Sequence, residues 1–476
     1  MAKRSLLGNI KIVYTDDPIT TSSGLGPMVE AFHKSPLAKG FYSGLPKRSS
    51  ARSLGKRRLG LIFLSSLLYG HDAVDDLEEF EGDVFLENFY RGDLPAPRTM
   101  VDFLNDFSEK NIHDLNNHLT TMGHSIRKQL EMKLPEEHKK GPLQLSIDST
   151  SHIQHGRKME GLGLNYKNEI CLDSQRISDQ YGLTYGFQLR GGSTGKGVGA
   201  ADLINQAFSS TKFKDEKYLS GDSAYLNQNV IKACMANGAF FTITATDTIK
   251  WTKRIEAEDL PPLKWEPWVY SEDEKKEALK KGKTLTKIEL STYHWKPSWD
   301  KNKHLHFPVV IKRTWVPYKD QVKKQQTGNL FDYADNVDGQ WKHYAVVTSM
   351  PLIKFSLQEV IERHNKRGNC ERFIKEEKYG FDLLHFPCIK LQKNYAYGLI
   401  AQVAHNILRW LAVLERPHKP HFSKKLRRRF IYIPGKLVKH ARQMTLRIPK
   451  KFKQEVERLR EVLQWLPESA LATGVP

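Results

Sequence analysis

Two short apolar strands, each closing on an aspartate, constrain this 476-residue chain more than any other feature. In Leu143-Gln144-Leu145-Ser146-Ile147-Asp148-Ser149, apolar and polar residues alternate at the period of a strand, so Asp148 points away from the apolar face. In Lys217-Tyr218-Leu219-Ser220-Gly221-Asp222-Ser223-Ala224-Tyr225, a second strand turns at Gly-Asp and leads into a helical stretch near 227–237. An Asp there lies at the carboxyl end of a strand, where α/β folds place ligands. Around these two strands the pattern from 142 to 245 reads strands, helix, strand, helix, strand. Residues 169–178 and 183–190 form hairpin strands, 199–209 a helix, and 240–244 the last strand of a mixed sheet.

A third segment adds another carboxylate. His364, Arg367, Glu371 and Lys378 follow one another at intervals of three, four and seven residues in a run that reads as helix, a spacing that puts all four on one face. Singly, each residue has an ordinary explanation, because a strand-end Asp forms turns or caps helices and a charged helix stripe is usually solvated. Jointly they fit phosphodiester cutting, where two magnesium ions about 4 Å apart need several carboxylates converging from separate segments.

The helix resembles the signature of bacterial insertion-sequence DDE transposases: Tyr, two residues, Arg, three residues, Glu, six residues, Lys. His364, Arg367, Glu371 and Lys378 match every step, with His in place of the Tyr. Ile147-Asp148-Ser149-Thr150 and Gly221-Asp222-Ser223-Ala224-Tyr225 are similar to the family's two Asp motifs. Tyr69-Gly70-His71-Asp72, with Pro97-Arg98-Thr99-Met100-Val101-Asp102-Phe103, is similar to the amino-terminal region of one branch. The resemblance spans roughly 60 to 450. Glu362, Glu376 and Glu377 compete for the third carboxylate, but only Glu371 fits the signature spacing.

The resemblance implies an α/β, RNase H-like (retroviral integrase-like) core in which Asp148, Asp222 and Glu371 hold two Mg2+ ions, with Mn2+ able to substitute. It implies cleavage of the element's ends and their joining to target DNA. The partners would be double-stranded DNA, as terminal inverted repeats and target, and a second copy of the chain in the active complex. By the same resemblance His364, Arg367 and Lys378 grip phosphates beside the scissile bond. Two rival readings are a catalytically inactive DNA-binding protein derived from a transposase, and an RNase H-like nuclease without strand transfer. The intact set of carboxylates argues against the first.

Charge points the same way. With 74 Lys and Arg against 54 Asp and Glu the chain carries a formal +20, which suits a polyanionic partner. Fourteen Lys or Arg and no acid fall between Arg416 and Lys453, so Arg427, Arg428 and Arg429 are expected to hold DNA phosphates. A membrane surface could attract such a segment too, but no stretch has the roughly 18 apolar residues of a spanning helix. The start, Met1-Ala2-Lys3-Arg4-Ser5-Leu6-Leu7, turns polar too soon for a signal peptide, so the expectation is a cytoplasmic, nucleoid-associated protein without membrane contact. Cys171, Cys234, Cys370 and Cys388 show no framework spacing, and a zinc site from Cys370, His385 and Cys388 lacks any Cys-x-x-Cys pair.

The expected division is an N-terminal helical region at 1–140, polar and Gly-rich to about 45 with a basic entry at Lys47-Arg48 and Lys56-Arg57-Arg58, which by the resemblance contacts DNA ends and otherwise reads as a packed helical subdomain, and a first core part at 141–245. A β-rich insertion follows at 246–348, a second core part with the Glu helix at 349–415, and a basic helical region at 416–476. The insertion holds seven of the nine tryptophans, and alternation at 287–292 and 307–315 argues for β structure. Trp295 and Trp299, flanking Lys296 and Pro297 in an expected loop, are the candidates to stack on a base flipped from the transposon end, as hairpin-forming relatives do. Gly191-Gly192-Ser193-Thr194-Gly195-Lys196-Gly197 invites a P-loop reading and fails it, since Gly197 follows Lys196 where Ser or Thr is needed and Arg190 takes the first Gly position.

Overall fold

The computed structural model describes residues 13–47, 54–317, 339–441 and 443–467. Met1–Leu7, Arg48 and Arg442 lie outside the described residues. A short strand, β1 (Ile19–Thr20), lies apart from the main sheet, and β2 (Leu143–Ile153) forms that sheet's axis. On one side β4 (Ile170–Asp179) runs antiparallel to β2, and β3 (Gly163–Leu164) and β5 (Thr184–Gly191) pair with β4. On the other side β6 (Lys217–Gly221) and β7 (Phe240–Thr244) run parallel to β2. Helices Ala200–Phe208 and Gln228–Ala236 make the crossovers that parallel pairing demands.

The insertion extends this sheet. Strands β8 (Glu266–Pro267), β9 (Ile288–Trp295), β10 (Phe307–Pro317) and β11 (Gly339–Thr348) form an antiparallel series in which β11 pairs with β7, so ten strands share one mixed sheet. Alternate residues serve two cores. Leu145, Ile147, Leu219, Ile243, Val309 and Val347 face a large core that includes residues of the helices Glu109–Lys133 and Leu391–Glu415. Tyr218, Val310 and Val346 face a smaller core completed by Val360 and Ile361 of the helix Leu357–Asn365. The helix Leu391–Glu415 is buried nearly all round, and its polar residues Gln402, His405, Asn406 and Arg409 are buried with the apolar ones.

Three expectations change. The polar side of β2 is interior rather than solvated: Gln144 is buried and donates from Nε2 to the Arg363 carbonyl (2.8 Å). The signature helix is two helices, Leu357–Asn365 and Gly368–Gly380, separated by a turn at Lys366–Arg367. The basic region at 416–476 carries a hairpin, β12 (Gly435–His440) and β13 (Gln443–Arg447), and β1 pairs with β12, so an N-terminal and a C-terminal segment share a small sheet. No helix among the described residues is long and apolar enough to cross a membrane.

Candidate active site

Parallel pairing of β2 and β6 sets Ile147 opposite Gly221, so the next residues, Asp148 and Asp222, come side by side; Asp222 leaves the sheet there, but Asp148 does not close its strand as expected, since β2 runs on beside β4 to Ile153. Gly221 permits this closeness, because a Cβ there would come within 3.1 Å of the Tyr225 Cβ and 3.3 Å of the Ile147 Cγ2. Each Asp commits one oxygen to the backbone. Asp148 Oδ1 accepts the Ser149 N–H (2.9 Å), and Asp222 Oδ1 accepts the Ala224 N–H (2.9 Å), capping the turn Ser223–Tyr225.

The second oxygen of each Asp faces a cation. Asp148 Oδ2 lies 3.9 Å from the Arg367 guanidinium, and Asp222 Oδ2 lies 3.7 Å from Lys196 Nζ. Burial raises the Asp148 carboxyl above the ordinary carboxylate range, Arg367 pulls it back, and the Asp222 charge pushes it up again. Tyr225, wholly buried beside the pair, has its hydroxyl held far above the ordinary phenol value by burial and by the Asp148 charge. Hard, mutually repelling and partly desolvated oxygens suit a divalent cation.

The third segment is only partly assembled around this pair. Glu371 stands exposed in the first turn of its helix, one turn beyond Arg367, and makes no hydrogen bond or ion pair among the described residues. No three His, Cys, Asp or Glu side chains among the described residues are grouped to hold a metal ion. Two of the competitors for the third role turn inward: Glu377 pairs with Arg176 and lies 3.6 Å from His405 Nδ1, while Glu376 accepts the Ser423 N–H (2.6 Å) and lies 3.6 Å from His405 Nε2; Glu362 is exposed and accepts from Gln358 Nε2 (2.8 Å).

His364 does not face a DNA phosphate. It is buried at the end of its helix, with Nδ1 3.1 Å from the Thr242 carbonyl and Nε2 3.2 Å from Thr244 Oγ1, and burial pushes its pKa down to about 4. It ties the helix to β7. Half-buried Lys378 donates to the Ser151 carbonyl (2.7 Å), tying the Glu371 helix to the end of β2, and burial lowers its pKa.

The remaining candidates divide as well. Trp295 is the last residue of β9 rather than a loop residue, its ring 6.3 Å from that of Phe307, and Trp299 follows in the connection to β10 with Lys232 Nζ 5.7 Å from its ring. Arg427 is buried and cannot hold a phosphate as placed: it donates to the Leu67 and Leu68 carbonyls (2.8 Å each), and burial lowers its pKa to about 10. Arg428 and Arg429 are exposed, with Arg429 paired to Glu415. Sequence reasoning missed Lys196 and Tyr225. Lys196 sat in the rejected P-loop, and the one available signal was a lysine among glycines near an Asp strand.

Comparison with known proteins bears directly on this geometry. The family model described as transposase DDE domain group 1 matches residues 59–470, a span that holds Asp148, Asp222, Arg367 and Glu371. No curated protein matches the chain. A match over most of the chain, with two carboxylates meeting where the motif spacing requires, makes this protein a member of the DDE transposase family.

Proposed function

We propose that the protein cuts the ends of an insertion sequence and joins them to target DNA by metal-dependent hydrolysis and transesterification. One observation carries the reading: Asp148, midway along β2, and Asp222, just past the carboxyl end of the parallel neighbour β6, come side by side, each with one oxygen turned to a cation. The strand order β5-β4-β2-β6-β7, three antiparallel strands followed by two parallel ones, supports an RNase H-like core.

Asp148, Asp222 and Glu371 would hold two divalent cations, magnesium by preference with manganese substituting. Bound there, such ions would activate water or a 3′-hydroxyl and stabilise the leaving oxygen. Asp148, on the axial strand, would serve both ions. Arg367 neutralises Asp148 and presents a planar donor set suited to a phosphate. Lys378 holds the Glu371 helix against β2 and adds positive charge near the site. Arg428 and Arg429 would hold flanking phosphates, and Trp299, in the connection from β9 to β10, would meet a base.

The test is a nicking assay on duplex carrying the element's ends, with and without Mg2+, followed by strand transfer from precleaved ends. Metal-dependent nicking and joining are expected. Binding without nicking would leave a DNA-binding protein, and nicking without joining a nuclease.

A further inference from the structure

The glycine-rich loop that fails as a P-loop is rigidly built and ends beside the proposed reacting centre. Buried Arg190, paired with Asp173, donates from Nη1 to the carbonyls of Lys196 (3.2 Å) and Val198 (2.7 Å), which clamps the loop from beneath. Gly199 has φ +75°, and a Cβ there would meet Gln188 Oε1 at 2.4 Å, so the turn into the next helix requires glycine. The clamp leaves Lys196 projecting, its Nζ 3.7 Å from Asp222 Oδ2 on one side and 5.8 Å from the Tyr166 ring on the other.

Tyr166, in the connection between β3 and β4, is 79 % exposed, and Lys167 Nζ also lies 5.6 Å from its ring. Beyond Lys196 opens a cavity of about 980 Å³ whose polar lining is Asn205, Asn227, Gln228, Asn229 and Lys232, with Asp202 its one acid. Amide and ammonium donors in a groove with an exposed aromatic ring at one end match a nucleic-acid backbone and a base face. A cation already beside Asp222 gains from a phosphate once metal ions compete for that carboxylate.

We propose that Tyr166, Lys196 and this cavity form a track for one DNA strand leading away from the reacting phosphodiester, with Lys196 taking a phosphate and Tyr166 stacking on a base. The inference rests on the transposase reading above and names residues the family signature does not contain.

Binding would be measured with the full chain in Ca2+ by fluorescence anisotropy, using a short duplex with a single-stranded oligo-dT extension and the same duplex blunt. Tyr166→Ala and Lys196→Ala should each weaken the extended probe on the order of tenfold while leaving the blunt one nearly unchanged. Lys196→Ala should also lower the salt slope on the extended probe by about 0.7, the share of one single-strand phosphate, whereas Lys196→Arg and Tyr166→Trp should bind like wild type. Unchanged affinity in both Ala variants overturns the track, and equal losses on blunt duplex overturn its assignment to a single strand. Cutting by the wild type in Mg2+ is scored separately, so a protein that binds but never cuts counts against the transposase reading and not against the track.

Discussion

Arg367 brings its guanidinium to within 3.9 Å of Asp148 Oδ2, joining the signature turn to the axial strand of the sheet. Its Nε is buried without a hydrogen-bond partner among the described residues, so the guanidinium is not committed elsewhere through that atom. Arg367→Ala should slow cleavage at saturating DNA by about a hundredfold, and Arg367→Lys should recover only part of it, since an ammonium lacks the planar fork. A wild-type rate in the Ala variant would reduce Arg367 to an ordinary surface charge.

Glu371 and Glu377 separate chemistry from folding. Glu371→Ala, like Asp148→Ala and Asp222→Ala, should abolish cutting in protein that still melts normally and still binds DNA. Glu377→Ala strands the buried Arg176 charge and should cost about 3–5 kcal/mol of stability. Thermal melts beside cleavage rates decide it: a stable, inactive Glu377→Ala with an active Glu371→Ala would transfer the third role.

The two Asp strands and the crossover helices were legible in the sequence because they depend on local alternation and turn residues, which packing then reinforced. Position within the signature was less legible. The spacing of His364, Arg367, Glu371 and Lys378 fits one continuous helix face, yet the turn at Lys366–Arg367 sends His364 into β7 and Arg367 toward Asp148. Arg427 escaped for a related reason: three consecutive arginines look alike in sequence, and only packing against Leu67 and Leu68 marks the first as structural. Lys196 was invisible because its partner, Asp222, is reached through a loop that no periodicity describes.

That arginine triplet should come apart by mutation. Arg427→Ala leaves two carbonyls without their charged donor and should destabilise the fold by about 3 kcal/mol. Arg428→Ala with Arg429→Ala should leave the melt nearly unchanged and lower the salt slope of duplex binding by up to about 1.8, if each neutralises one phosphate. An unaltered slope in folded double variant would exclude both from the DNA interface.

The two tryptophans should share one effect and differ in another. Both rings pack against the large core, so either change to Ala should cost stability, but Trp299→Ala, whose ring lies beside Lys232 of the cavity lining, should in addition slow second-strand processing. Normal processing in Trp299→Ala would remove it from the stacking role.

Stability should fall steeply in mild acid. Burial holds His71, His118 and His364 at pKa values of about 4 and His152 at about 3, against an ordinary 6.5, so all four are neutral in the folded protein. The unfolded chain takes up their protons near pH 6.5 while the folded one refuses them, so their stabilisation is complete above that pH and is lost as pH falls toward 4. Each such histidine contributes a slope of about 1.4 kcal/mol per pH unit inside the window. Asp382, raised by burial to about 6, works in the opposite sense, since its folded form gains a proton first. Denaturant melts between pH 7 and pH 5 should therefore show a net loss. His364→Gln, which can still hydrogen-bond to Thr242 and Thr244, should flatten that slope by one histidine's share, and a slope identical to wild type would mean that His364 is not the buried neutral tie between the signature helix and β7.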